Sequence, residues 1–228
     1  MKIGIIGSGN MGRALGVRFA QLGHEIMFGA RRPEQAKAAT TLAGAGTLAG
    51  DNDAAARHGE VLLWTMRDHD PAHVLRDPGL LDGKVVIDLN NRDYADEART
   101  GAWFDRAIAE KLQEAAPGAR VVKAFNTIAM ESFDVEPEAL RRAGAQTFIA
   151  GGDGDAKRVA AGLTEELGFK AVDLGAGPAA MRAAEALGDA IRLLMIDQAL
   201  GGRAHLRVDY LPAPALEAVG ARQPSAYN

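Results

Sequence analysis

The stretch that decides the fold is Lys2-Ile3-Gly4-Ile5-Ile6-Gly7-Ser8-Gly9-Asn10-Met11-Gly12. Lys2 to Ile6 is a compact apolar run of the kind shown by a strand buried on both faces, and it stops at Gly7. From Asn10 to Leu22 the apolar residues Met11, Leu15, Phe19 and Leu22 recur at helical spacing, and Gly23 closes them like a helix C-cap. The reading is strand, glycine turn, helix. Gly7, Gly9 and Gly12 match GxGxxG, which alone is a weak signal; a strand before it and a helix after it are the context that a dinucleotide site demands. Gly7 permits the tight turn, Gly9 lets backbone approach a pyrophosphate, and Gly12 lets helix and strand pack closely. Ser8, Asn10 and Met11 complete the cradle, where unpaired N–H groups of the helix N-terminus face the anion.

Outward from this turn the alternation continues. Ile26 to Phe28 reads as a second strand, and Pro33 is placed as the first residue of a helix through Ala43. Val61–Met66, Val85–Leu89, Val121–Phe125, Thr147–Ala150 and Lys170–Leu174 are further strand candidates, most of them separated by helix-like segments. Alternating strands and helices predict an α/β fold: a doubly wound, mainly parallel Rossmann-type sheet with a C-terminal helical extension. The expected division is a nucleotide-binding domain over residues 1–176, a helical segment over 177–210 and an irregular tail over 211–228. The segment Ala179 to Leu200 carries Ala184, Leu187, Ile191, Leu194 and Met195 on one stripe and Leu193, Ile196 and Leu200 on another face. A helix apolar on two sides needs two partners, so it is expected to close the pocket and to build a homodimer; a single buried core helix is the plainer reading.

The end of the second strand selects the nucleotide. An NAD site places a carboxylate there for the ribose 2′-OH, whereas this chain has Gly29-Ala30-Arg31-Arg32 and no acid before Glu34. Two guanidiniums, Arg31 and Arg32, can fork onto a 2′-phosphate while one stacks on the adenine, which predicts NADP(H). A solvated basic turn is the alternative, but arginine at a helix N-terminus is disfavoured by the dipole, and that cost argues for an anionic ligand. Composition narrows the rest. Among 228 residues, 47% hydrophobic and 25% charged, there is no cysteine, which excludes disulfides, thiolate catalysis and thiolate metal sites and fits a reducing compartment. A net charge of -4 without a long basic run makes nucleic acid an unexpected partner. No eighteen-residue apolar run and no signal-peptide pattern at Met1 to Gly7 predict a cytoplasmic protein without membrane contact. His69 and His73 share a spacing of four, but Pro71 between them argues for a loop-to-helix junction, so no metal is expected. His24 reads as structural or exposed, Trp64 as core, and Asp88 as either a turn former or a site residue.

Glycine turn, basic turn and the segment Val121-Val122-Lys123-Ala124-Phe125-Asn126-Thr127-Ile128 together resemble the NADPH-dependent reductases of the deazaflavin coenzyme F(420), the F(420)H2:NADP oxidoreductase family. Phe148 to Asp153 and Gly168-Phe169-Lys170-Ala171-Val172-Asp173-Leu174-Gly175 extend the resemblance, which covers roughly residues 1 to 210. A similar Phe-Asn segment occurs in the NADPH-to-flavin portion of membrane ferric reductases. The resemblance implies a pocket made by Thr65, Met66 and Arg67, by Asn90 and Asn91, and by Ala124, Phe125, Asn126 and Thr127, all at strand C-terminal ends, where doubly wound sheets bind ligands. It also implies that Asn126 orients the acceptor ring. Two positions depart from the family: Asn126 stands where a histidine is often found, and Ala30 where a serine often helps hold the 2′-phosphate. An amide can donate to a carbonyl or accept from an N–H but does not titrate near neutrality.

The expected activity is therefore that of an oxidoreductase moving hydride between NADP(H) and a deazaflavin or flavin cosubstrate, a reaction in which the cofactors carry the chemistry. A small-molecule imine or ketone reductase is one alternative; its GxGNMG opening is similar, but such enzymes continue into a long helical domain, whereas strand-like segments here run to Leu174. A redox sensor that binds NADPH without turnover is another.

Overall fold

Side chains along β1 (Lys2–Ile6) alternate between two apolar layers, Ile3 and Ile5 on one face and Ile6 on the other, so the strand is buried on both sides. The computed structural model describes residues 1–209, and the expected irregular tail over 211–228 lies outside them. After β1 come α1 (Asn10–Gln21), β2 (Glu25–Gly29), α2 (Pro33–Ala43), β3 (Leu48–Gly50), α3 (Asn52–His58), β4 (Val61–Trp64), α4 (Pro71–Val74) and β5 (Val85–Asp88). The chain continues through α5 (Ile108–Ala115), β6 (Arg120–Lys123), α6 (Pro137–Ala143), β7 (Gln146–Gly151), α7 (Gly154–Glu166), β8 (Lys170–Asp173) and α8 (Pro178–Ile196).

The eight strands form one sheet in the order β3-β2-β1-β4-β5-β6-β7-β8. All neighbours are parallel except β6 and β7, which run antiparallel. The doubly wound Rossmann-type α/β architecture expected from the sequence is thus present. The chain walks from β1 outward to β3, then returns to β4 and proceeds the other way, so the topological switch point lies between β1 and β4.

One apolar layer joins Ile5, Leu63, Ile87 and Val122 to Leu15 and Phe19 of α1 and Leu163 of α7. The other joins Ile6, Leu62, Trp64 and Val121 to Leu112 of α5 and to Ala180, Met181 and Ala184 of α8. Helix α8 therefore packs onto the sheet as part of this second layer. Helix α8 ends at Ile196, not at the expected Leu200. Ala199 adopts a left-handed conformation (φ 54°), and the N–H groups of Leu200 and Gly201 bond back to the carbonyls of Leu194 and Met195, which closes the helix. The short β3 and α3, absent from the sequence reading, extend the sheet beyond β2. Among the described residues no helix is long and apolar enough to cross a membrane.

Candidate functional site

The glycine turn sits at the switch point, and each glycine has a distinct physical reason. Gly7 has φ +98°, and a Cβ there would lie 2.6 Å from Met66 Sδ; one at Gly12 would lie 2.2 Å from the Gly7 carbonyl oxygen. At Gly9 a Cβ would meet no protein atom within 4 Å, because the residue faces open space at the start of α1. The first turn of α1 holds no acidic residue and no side-chain cap, so its N–H groups remain available to an anion. The Ser8 hydroxyl donates to the Gly29 carbonyl at 2.8 Å, tying the turn to the end of β2. The Thr65 hydroxyl is likewise committed to the carbonyls of Ile6 and Gly7, tying the end of β4 to the turn.

A cavity of about 350 Å³ opens from this turn across the C-terminal ends of β4, β5 and β6. Asn10, Met11, Thr65 and Arg67 line one side; Leu89, Asn90, Asn91, Asn126, Ile128 and Arg192 line the other. Its lining holds no histidine, lysine, tyrosine or carboxylate, only the two guanidiniums of Arg67 and Arg192. Arg67 is exposed and pairs with Asp93 at 3.4 Å. Arg192, from α8, is held by the Arg92 carbonyl at 2.6 Å and stacks over Tyr94, with its carbon 4.9 Å from the ring centroid. Burial, the largest influence, pulls its pKa below the ordinary arginine value. Among the described residues no carboxylate lies within 4.0 Å of it. No local pattern marks Arg192, and only the packing of α8 brings it here.

The two asparagines lock each other. Asn91 Nδ2 donates to the Asn126 carbonyl at 2.6 Å, and Asn126 Nδ2 donates to Asn91 Oδ1 at 2.9 Å and to the Ala184 carbonyl at 2.8 Å. Asn90 is buried as well, donating to the Trp64 carbonyl and to Asp88 Oδ1. Helix α8 reaches this pair because Gly188 carries no side chain; a Cβ there would fall 2.1 Å from Asn91 Oδ1.

Beneath the cavity lies a charge cluster that the sequence reading passed over. Register places Asp88 of β5 directly opposite Lys123 of β6, and both side chains are fully buried. Lys123 Nζ lies 2.9 Å from Asp88, 3.1 Å from Glu185 of α8 and 2.6 Å from the Asn90 carbonyl. Burial pulls the lysine pKa down most strongly, yet Asp88 and Glu185 together overcome it, and the net displacement is upward. Glu185 also accepts from the backbone N–H groups of Arg92 and Ile108, and Arg92 pairs with Asp189 at 2.7 Å. Polar residues of α8 thus clamp the helix over the strand ends. Asp88, for which a turn and a site role competed, is the ion-pair partner of Lys123.

Two expected pocket residues have their side chains in the core. Ala124 and Phe125 are fully buried in the first apolar layer, and Phe125 packs edge-on against Phe19 with centroids 6.5 Å apart. Phe125 has φ 61°, a conformation that bulky residues rarely adopt and that costs about 1–3 kcal/mol. This kink directs the ring inward and turns Asn126 to the cavity. Thr127 is buried against Thr147. Trp64 belongs to the second apolar layer, with its indole N–H on the Asp68 carbonyl.

On the other side of the turn, Arg31 lines a second hollow with Thr65, Met66 and Arg67. Arg31 and Arg32 are exposed at the end of β2, where Arg32 caps α2, and among the described residues neither forms an ion pair. His73 bonds Asp68 at 3.1 Å, beside Pro71 at the start of α4. His24 is tied to Glu166 at 2.6 Å. Among the described residues no cluster of three potential metal ligands occurs.

Residues 2–92 match the model of the family described as NADP oxidoreductase coenzyme F420-dependent. The metalloreductase STEAP3 of Rattus norvegicus is 27% identical over 174 residues, which cover 76% of this chain and 34% of the relative. The chain thus spans about a third of the length of the curated relatives it matches. A crystal structure from Arthrobacter sp. FB24, described as a candidate F420-dependent NADP-reductase, superposes with a TM-score of 0.75 at 23% identity, covering 92% of this chain and 100% of that one. An imine reductase from Myxococcus stipitatus in complex with NADP+ superposes at 0.63 with 18% identity, over 87% of this chain and 62% of the other. These likenesses show a Rossmann-type α/β fold, with a first part similar to the NADP oxidoreductase family.

Proposed function

We propose that the protein uses NADPH to reduce a planar ring cosubstrate, a deazaflavin or a flavin, in the cavity beside the glycine turn. The observation that carries this reading is the lining itself: a dinucleotide turn opens into a cavity whose side chains include no group able to give up a proton near neutral pH. Reducing a ketone or an imine leaves a basic oxygen or nitrogen that needs a proton as hydride arrives. A ring that spreads the incoming charge over its own heteroatoms does not need one from the enzyme.

The residues present fit the nucleotide. The open space at Gly9 and the uncapped N-terminus of α1 suit a pyrophosphate, and Arg31 and Arg32 suit the 2′-phosphate. Bound NADPH supplies the hydride. Leu89 and Ile128 offer apolar contact to ring faces, Asn91 and Asn126 set orientation, and Arg192 places positive charge where the ring becomes electron-rich. Two copies pair through the exposed end of α8 and the turn after it, where Ile196 and Leu200 are 53% and 61% accessible. Ile191, expected on that surface, is buried within its own chain.

The test is NADPH oxidation followed in parallel with the deazaflavin, FMN, FAD and a cyclic imine. Turnover with a ring cosubstrate is expected. Turnover with the imine alone would assign a small-molecule reductase, and tight NADPH binding with no turnover on any acceptor would assign a sensor. Sedimentation of the Ile196→Glu variant beside the wild type tests the pairing, and a wild type that is monomeric at micromolar concentration overturns it.

A further inference from the structure

Arg67 and Asn91 belong to two hollows at once: the cavity beside the glycine turn, and a second one of about 240 Å³ enclosed by the loops after β4 and β5, by α5 and by α8. The second is rich in charge. Arg67, His69, Arg92, Arg106 and Lys111 line it, against the carboxylates of Asp93, Glu97 and Glu185. Each carboxylate already has its partners. Glu185 faces Lys123 at 3.1 Å and accepts from the N–H groups of Arg92 and Ile108. Asp93 accepts from the N–H of Asp96 at 2.9 Å and pairs with Arg67, while Glu97 accepts from the N–H of Asp93 at 2.8 Å. Of the cations, Arg92 is held by Asp189 and Arg106 by Glu114, two acids outside the lining. Lys111 and His69 remain. Both are half-buried, and among the described residues neither side chain has an ion-pair or hydrogen-bond partner. Lys111 stands one turn after Ile108 on α5, so the two share the face that lines the hollow. An ammonium partly withdrawn from water with no counterion is uncompensated, and an anion in the hollow would supply the missing partner.

Position says which anion. A dinucleotide with its pyrophosphate on the turn after β1 has its 2′-phosphate at Arg31 and Arg32, on the β2 side of the switch point. The charged hollow lies on the opposite side, beyond the end of β5, so neither phosphate of the nucleotide reaches it. The cavity opens into it past Arg67 and Asn91, the route left to the far end of a second ligand. We infer that this hollow is a subsite for a phosphate carried on the side chain of the ring cosubstrate, with Lys111 as its counterion. Arg67, exposed and held by Asp93 alone at 3.4 Å, is free to turn toward the same anion. The inference rests on the ring-cosubstrate reading proposed above and narrows it: the preferred acceptor is a phosphorylated ring, not a bare one.

The experiment is an equilibrium titration of the full chain saturated with NADP+, so no turnover is needed. The ligands are two matched pairs, riboflavin with FMN and 5-deazariboflavin with its 5′-phosphate, whose members differ only in the phosphate. In at least one pair the phosphorylated ring is expected to bind roughly tenfold tighter, the worth of one charge-assisted hydrogen bond, and the preference should shrink as salt is raised. In Lys111→Met that ring should weaken by roughly tenfold, while its unphosphorylated partner and NADPH keep their wild-type affinities. Equal binding within both pairs overturns the inference and leaves the ring-cosubstrate reading intact. A folded Lys111→Met variant that keeps the full preference overturns it too, as does one that loses NADPH, which would give the hollow to the nucleotide. A wild type that binds none of the four rings overturns both readings.

Discussion

Gly188→Ala is the perturbation in which local and tertiary reasoning predict opposite signs. Gly188 lies inside α8, so by propensity alone alanine should stabilise the helix by up to about 1 kcal/mol. Its new Cβ, however, would stand 2.1 Å from Asn91 Oδ1 and 2.7 Å from Asn126 Nδ2, closer than real methyl contacts allow. Either the helix lifts or both amides move. Moving them endangers three hydrogen bonds, Asn91 to the Asn126 carbonyl, Asn126 to Asn91 and Asn126 to the Ala184 carbonyl, worth about 1 kcal/mol each. Lifting the helix pulls Glu185 away from Lys123 and adds overpacking strain of about 1–3 kcal/mol. The unfavourable terms win, for a net loss of about 2–4 kcal/mol, which in a chain of this size lowers Tm by roughly 5–15 °C. Thermal unfolding followed by circular dichroism, with NADPH titration on the same samples, measures both consequences. NADPH should bind more weakly, because Asn126 is displaced. A variant with equal or higher Tm and unchanged affinity would refute the placement of α8 over the asparagines.

Four further outcomes are expected. Replacing Arg31 and Arg32 together by alanine should weaken NADPH by roughly a hundredfold and leave NADH unchanged, since a hydrogen bond to a charged group is worth about 1.5–3 kcal/mol; equal losses in parallel titrations would show that the pair does not read the 2′-phosphate. Gly9→Ala should leave stability within about 0.5 kcal/mol, because the added methyl meets no protein atom, while NADPH affinity falls about tenfold to a hundredfold; normal nucleotide binding by the folded variant counts against the turn as the pyrophosphate site. Lys123→Met should cost about 3–5 kcal/mol in urea unfolding by stranding Asp88 and Glu185 as buried unpaired charges, and a loss below about 1 kcal/mol would contradict the cluster. Because the folded state raises the pKa of Lys123, its stabilisation is complete below the ordinary lysine value of about 10.4 and fades as pH rises through the higher folded value, so the wild type should lose stability on the alkaline side in a way that Lys123→Met does not.

Gly7, Gly9, Gly12, Arg31 and Arg32 were legible from the sequence because each acts within one strand-turn-helix unit: a glycine needed at φ +98°, a glycine pressed on a neighbouring carbonyl, a basic turn without an acid. Strand and helix order followed from hydrophobic period, and so did the doubly wound class. Strand ends did not. Val121–Phe125 read as one strand candidate, yet β6 stops at Lys123 and the positive φ of Phe125 sends two successive side chains to the same layer, breaking the alternation of a strand. The antiparallel turn of β7 was invisible for a similar reason, since period reports burial and not direction. Lys123 passed as an ordinary strand residue because its partners, Asp88 and Glu185, are 35 and 62 positions away. Arg192, Gly188 and the mutual lock of Asn91 and Asn126 depend on where α8 comes to rest. Short-range backbone demands wrote the glycine turn into the local sequence. The far wall of the cavity is a meeting of segments whose proximity exists only once the sheet has formed and α8 has docked across it.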